Sequence, residues 1–219
     1  MEPTVSGVGV LDKSVSVLIA VEHRPLSLAE LVDATGLSRA TAHRLAVALE
    51  VHGLVRRDDD GRFTLGVRLV ALGRAAAEAI PLATAAAGAL AELRDATEES
   101  VQLYVRDGDQ RVCVAALESP HGLRTIVPMG ASLPIDKGSA GKLLSLVDGD
   151  PVPEWVQSVG EREAGVASVS APVQDGDGRV LAAVSVSGPM ERTSRKPGAR
   201  YAEDVMAAAR RIERAAGLR

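Results

Sequence analysis

Aromatic side chains are almost missing from this chain. Among 219 residues only Phe63, Tyr104, Trp155 and Tyr201 carry a ring. A single-strand nucleic-acid binder that stacks bases on a row of rings is therefore excluded. Cysteine occurs once, as Cys113. That excludes an internal disulfide framework and a cysteine-built zinc site, and it points to a reducing compartment. The longest early apolar run, Val15 to Val21, is broken by Ser16 and is too short to span a bilayer. The opening Met1-Glu-Pro-Thr-Val5 lacks the basic flank of a secretory signal. The expectation is a cytoplasmic protein with no membrane partner.

A surplus of positive charge is missing as well. The 25 Lys and Arg residues face 29 Asp and Glu residues, a net charge of −4. Residues 1–74 hold nine of each sign, so the remaining chain carries the whole deficit. Any nucleic-acid contact must come from a local basic face in the first third. What the chain does have is 46% hydrophobic and 25% charged residues, enough for one large or two small cores and against disorder.

Leu11, Val15, Leu18 and Ile19 give helical spacing over residues 10–21, with Asp12 as a candidate start, and Arg24-Pro25 ends the run. Ser27-Leu-Ala-Glu30 has the form of a capping box, opening a short helix to Thr35. Gly36 supplies a turn, Ser38 caps a helix running to His52, and Gly53 fits its stop. Leu54 to Arg57 and Arg62 to Leu65 flank Asp58-Asp-Asp-Gly61, a hairpin signal. Helix, helix, turn, helix, hairpin is the winged helix-turn-helix order. Leu28, Leu31 and Val32 pack one helix, while Ala42, Leu45 and Leu49 pack the next. Ser38 at the cap and the outward Arg39, Thr41, His43 and Arg44 are groups suited to bases or phosphates. Arg56, Arg57 and Arg62 add a basic wing, whose Asp58 to Asp60 tip suits phosphates poorly.

Residues 67–97 read as two Ala-rich connector helices broken at Pro81, with no flexible Gly/Ser linker. From Glu99 the period changes to two. Val101, Leu103 and Val105 alternate, Asp107-Gly-Asp-Gln110 turns, and Val112 to Leu117 returns. Ile126-Val127 is an extended piece, and residues 138–147 are helical. Val166 to Val173 and Val180 to Val186 pair around Asp175-Gly-Asp-Gly178, and residues 200–218 form an amphipathic helix. The whole reads as α+β, with domains at 1–66, 67–97 and 98–219.

Taken in order, Gly7 to Lys13, Thr41-Ala-His-Arg-Leu45, Gly61 to Gly66, Gly138-Ser-Ala-Gly-Lys142, Glu161 to Val173 and Val184-Ser-Val-Ser-Gly-Pro189 resemble the IclR-type transcriptional regulators. Their wording is most similar to the actinobacterial NdgR-type branch, tied to amino-acid metabolism including leucine genes. The resemblance implies an N-terminal winged helix-turn-helix on double-stranded operator DNA and a GAF-like effector-binding domain. It also implies a homodimer or tetramer with the connector helices in its interface. It places a small effector, a carboxylate or amino acid, against Leu133, Ser139, Ala140, Ser168, Ser185 and Ser187. A ligand carboxylate is also expected at free N–H groups opening the Gly138 helix. In one place the chain departs from the family. After that helix the family has further helical chain, whereas Asp148 to Glu154 runs almost directly to Trp155. Either a pocket lid is shortened or a mobile segment is omitted.

Two readings compete with a regulator. One is a ligand-binding module and the other an enzyme, each with an N-terminal domain making only protein contacts. Against an enzyme, His23, His43, His52 and His121 are scattered without metal-ligand spacing. Asp175-Gly-Asp-Gly178 lacks the further acids of a calcium loop, and Gly7-Val-Gly9 follows no strand, as a dinucleotide loop would. Cys113, between two valines, reads as a small core residue. No cofactor is expected. The serines carry their own alternative, which is to bond to backbone or water rather than to a ligand.

Overall fold

The computed structural model describes residues 6–147 and 149–218. They fall into two compact units, residues 1–76 and 77–219. The first unit contains α1 (Gly9–Ala20), α2 (Leu28–Thr35), α3 (Arg39–Val51), β1 (Val55–Arg57) and β2 (Phe63–Leu65), and α4 (Arg68–Glu78) follows. Val17, Val21, Leu31, Leu45, Leu49, Val55 and Phe63 meet in its core. Each such buried side chain is worth about 1.5–3 kcal/mol of transfer free energy. Leu26 bridges to Phe63 through two backbone hydrogen bonds of 2.9 and 2.8 Å, adding a third edge to the wing.

Local chemistry sets the helix ends. Ser27 Oγ accepts from the Glu30 N–H at 3.3 Å, and Glu30 accepts from the Ser27 N–H at 2.8 Å, completing the capping box. Gly36 turns at φ 65°, a left-handed conformation that costs glycine nothing, and Ser38 caps α3 by accepting from the Thr41 N–H. Asp12 does not cap α1. It lies in the first turn and accepts from the Ser6 N–H at 2.9 Å, which lowers its pKa. Of the apolar stripe read along α1, only Leu18 packs against the unit's own core. Leu11, Val15 and Ile19 are 53%, 43% and 43% exposed, while Val17 and Val21 are buried.

The second unit runs α5 (Pro81–Thr97), β3 (Ser100–Asp107), β4 (Gln110–Leu117), β5 (Ser132–Pro134), α6 (Gly138–Leu144), β6 (Val156–Val159), β7 (Val166–Gln174), β8 (Val180–Pro189), α7 (Met190–Thr193) and α8 (Pro197–Ala215). Its antiparallel sheet has the order β5-β4-β3-β8-β7-β6. The sequence groups α5 with the connector. Packing groups it with the sheet, because Ala86, Ala89, Leu90 and Leu93 enter the sheet core beside Val205, Ala208 and Ile212 of α8. No strand forms at Ile126-Val127; the second partner of β4, besides β3, is Ser132–Pro134, paired with Gln110–Val112. The four-residue edge strand β6 has no counterpart in the sequence reading. Both acid-rich turns are built alike: Asp58 Oδ1 accepts from the Asp60 and Arg62 N–H groups, and Asp175 Oδ1 accepts from those of Asp177 and Arg179. This is the hairpin reading of Asp175-Gly-Asp-Gly178. Among the described residues, no single helix is long and apolar enough to cross a membrane.

At the start of β3, Glu99 is 1% exposed, and both its oxygens accept from Arg192 of α7, at 2.7 and 2.8 Å. This bidentate pair ties α7 to the sheet. Replacing Arg192 with Met strands a buried carboxylate and is expected to cost about 3–5 kcal/mol. Adding Glu99→Met to that variant should return most of the loss. Urea unfolding reads both, and equal stabilities for the single and double variants would contradict the buried-pair account. Glu30 gives a pH test. Hydrogen bonds from Arg24 and from Ser27 hold its carboxyl at about 2, below the ordinary 4.5. A depressed folded-state pKa contributes stability above the unfolded value that fades as pH falls through the folded one. Thermal melts should show Glu30→Gln less stable than the parent at pH 7, with the gap closing between pH 4.5 and about 2. A gap independent of pH would point to lost packing instead.

Candidate functional site

Two surfaces carry chemistry. The first is α3. Its buried side, Ala42, Leu45, Ala46 and Leu49, fixes the helix in the unit's core. That leaves Arg39, His43 and Arg44 exposed near its N-terminal end, without a hydrogen bond or ion pair to any described residue. Thr41 is half-buried, and its hydroxyl accepts from Ser38 Oγ at 2.9 Å. The wing divides its arginines. Arg56 is exposed and unpaired among the described residues. Arg57 lies 4.2 Å over the Phe63 ring and bonds to Glu50 and to the Gly61 carbonyl. Arg62 bonds to Glu30 at 3.1 Å. The sequence treats these three alike; in the fold, two of them already hold structural acids.

The second surface is one face of the six-stranded sheet. Side chains alternate along a strand, and register lines them up across it. One face carries Val101, Leu103, Val169, Ala171, Val173, Val184 and Val186 into the α5 and α8 core. The other carries two cross-strand rows, Ser100–Ser187–Ser168–Ser158 and Gln102–Ser185–Ser170–Val156. α6 covers this polar face. Ser139 Oγ lies 2.7 Å from the hydroxyls of both Ser168 and Ser170, Ser170 donates to Ser185, and Ser187 donates to Gln102 Oε1 at 3.1 Å. A buried hydroxyl left unpaired costs about 1–3 kcal/mol. Here the serines answer mostly to one another.

Beneath α6 the polar face holds a small cavity of about 30 Å³ lined by Gln102, Tyr104, Arg111, Gly138 to Ala140, Ser158, Arg162, Val166, Ser168, Ser185 and Ser187. Arg111 is 3% exposed. One of its terminal nitrogens donates to the carbonyls of Pro134 and Lys137, while its Nε has no partner. Burial lowers its pKa and raises that of the Tyr104 phenol, whose ring lies 5.4 Å from the guanidinium. The Gly138-Ser-Ala-Gly141 run makes room for this group. A Cβ at Gly138 would lie 3.3 Å from Arg111 Nη2, and one at Gly141 would strike both Arg111 Nη1 and the Ile135 carbonyl.

Of the residues read as effector contacts, Ser139, Ala140, Ser168, Ser185 and Ser187 meet at this cavity. Leu133 does not line it. It packs with Leu143, Leu144 and Val127, on the apolar part of the same face. The opening of α6 is not free for a ligand either: the Gly138 N–H donates to Glu161, which also pairs with Lys142 and is held below its ordinary pKa by these contacts against a desolvation that raises it. Gln102, Tyr104, Arg111 and Arg162 were missed. Parity was the available signal, since Arg111 shares a strand face with the core residue Cys113, whose thiol burial pushes up to about 12.

Comparison with known proteins identifies the family. The IclR helix-turn-helix domain matches residues 10–59. The bacterial transcriptional regulator IclR C-terminal domain matches residues 74–152 and 153–214, the break falling between α6 and β6. The HTH-type transcriptional regulator KipR of Bacillus subtilis is 26% identical over 80% of this chain and 84% of its own length. In fold, the chain is similar to an IclR transcriptional regulator from Alicyclobacillus acidocaldarius, with TM-score 0.80 at 20% identity over 96% of this chain and 99% of that one. It is also similar to an IclR homolog from Microbacterium hydrocarbonoxydans complexed with 4-hydroxybenzoate, with TM-score 0.78 at 21% identity over 95% and 99%. These relatives are regulators and not enzymes. A helix-turn-helix unit and a curled-sheet α+β unit, each matched by its own family model, make this chain a DNA-binding transcriptional regulator of the IclR family.

Proposed function

We propose that the chain is a cytoplasmic, effector-controlled regulator that reads its operator through α3 and binds a small carboxylate under α6. The observation that carries the DNA reading is the exposed, unpaired set Arg39, His43 and Arg44 on a helix whose other side is locked into the core. Arg56 adds a cation on the wing, and Ser38 and Thr41 hold the helix start, where a backbone or hydroxyl contact to phosphate fits. Arg57 and Arg62 act mainly by fixing the wing. Support for the effector is the enclosed polar cavity, together with a structural neighbour complexed with 4-hydroxybenzoate, itself a carboxylate. The similarity to the NdgR-type branch favours a role in amino-acid metabolism, leucine genes included. A homodimer follows from the geometry of operators, whose half-sites lie about 34–36 Å apart or a multiple of that. The exposed Leu11, Val15 and Ile19 of α1 and Val70 and Leu72 of α4 supply apolar surface for it.

Arg44→Ala and Arg39→Ala are expected to weaken operator binding by about 1–3 kcal/mol where a base contact is lost. Where a phosphate contact is lost, the salt dependence should instead flatten by about one unit. Arg57→Ala should weaken operator binding less than Arg44→Ala while lowering thermal stability. Mobility shifts at two salt concentrations on the promoter beside the gene read all of this; unchanged affinity in both α3 variants would remove the helix from recognition. Light scattering should find the parent a dimer or larger and Leu11→Glu with Val15→Glu shifted toward monomer. A stable parent monomer at working concentration would contradict the assembly.

A further inference from the structure

The serine row does not need a ligand, because its hydroxyls bond among themselves. Arg111 does. Its guanidinium is buried at the wall of the cavity, its Nε–H is unpaired, and its bonded partners are the neutral carbonyls of Pro134 and Lys137. Among the described residues no carboxylate forms an ion pair with it, and Asp136 acts on it only at longer range. A buried charge without a counter-ion is costly, and a chain retains one where an anion completes it. The rest of the lining points the same way. Arg162, a quarter exposed and paired outward with Glu163 at 3.4 Å, puts a second guanidinium on the cavity, whose lining holds no Asp or Glu. The ammonium of an amino acid would therefore meet two cations and no carboxylate. The two glycines of α6 that leave space for Arg111 show that the fold around it is built for this side chain.

We propose that Arg111 is the anion anchor of this cavity and that the cavity selects a small dicarboxylate, one carboxylate on Arg111 and the other toward Arg162. A guanidinium edge offers a carboxylate two parallel donors, a geometry that a serine row lacks. The serines and Gln102 then orient the ligand's backbone or a keto oxygen. This inference rests on the effector reading above, and it narrows the carboxylate or amino acid expected there to a dianion.

Calorimetry and thermal shift on the full chain test it with four probes: succinate, 2-oxoglutarate, pyruvate and leucine. Succinate or 2-oxoglutarate is expected to bind at least tenfold tighter than pyruvate or leucine. Arg111→Met should lose that binding by about thirtyfold or more, while its ligand-free melting temperature holds or rises, because an unpaired buried charge has been removed. A merely structural Arg111 would instead lower the melting temperature and leave the ranking of probes unchanged. Arg162→Gln should erase the preference for a dicarboxylate over pyruvate. If Arg111→Met does not fold, Arg111→Lys keeps the charge without the paired donors and is expected to cost at least tenfold in dicarboxylate affinity. Dicarboxylate binding unchanged in either variant, or leucine binding as tightly as the best dicarboxylate, overturns the proposal. Operator mobility shifts separate this failure from the broader one. If leucine changes operator affinity equally in the parent and in Arg111→Met, effector control stands and this anchor falls.

Discussion

A six-stranded antiparallel sheet covered on both faces has to assign a chemistry to each, and strand alternation does so residue by residue. In the second unit Val101, Leu103 and Val105 of β3 face the α5 and α8 core, while Gln102 and Tyr104 line the cavity under α6. β7 and β8 repeat the division with Val169, Val184 and Val186 on one side and Ser168, Ser170, Ser185 and Ser187 on the other. The aliphatic face makes the core and needs nothing else. The polar face is affordable only because its hydroxyls pair across the register and because the short helix α6, opened by Glu161 and thinned by Gly138 and Gly141, closes over a buried guanidinium. A one-residue slip of β7 against β8 would put valines under α6 and serines in the core. Fold and candidate site therefore depend on the same register.

The first unit solves a different problem: holding a DNA surface on a chain with no net positive charge. It does so by spending some arginines and freeing others. Arg24 and Arg62 flank Glu30, and Arg57 bridges Glu50 and Phe63, so their charges are locally answered. Arg39 and Arg44 on α3 and Arg56 on β1 have no such acid, which leaves their positive charge unanswered on the helix and on the wing. Regulation then requires only that a ligand bind unequally to the states of high and low operator affinity.

Much of this was legible in the sequence because it is local. The Ser27–Glu30 capping box, the Gly36 turn, the Ser38 cap and the two Asp-built hairpin turns are short-range devices, and each stands where its residues predict. Strand parity was legible too, and it put Ser168, Ser185 and Ser187 on one cavity wall, to which α6 adds Ser139 and Ala140. What was lost is long-range. The stripe Leu11, Val15, Ile19 has helical period, but period does not say whether the unit's own core or another surface receives it. Leu133 sits on the right face and in its apolar part, a distinction set by which strand lies beneath the helix. Arg111 gave no signal by type, since an arginine in a strand usually reaches solvent. Only its parity with Cys113 marked it as inward. Arg57 and Arg62 differ from Arg56 through partners up to 32 residues away in the chain.

Effector control of the kind proposed requires the polar cavity and the operator surface to belong to one two-state molecule. Linkage tests it directly, because coupling is reciprocal. Operator affinity is measured without and with a saturating dicarboxylate that the cavity binds, and dicarboxylate affinity without and with saturating operator. Both affinities are expected to change by the same factor, about 5–150-fold for typical coupling. A factor of one in each direction, with ligand bound, would contradict it.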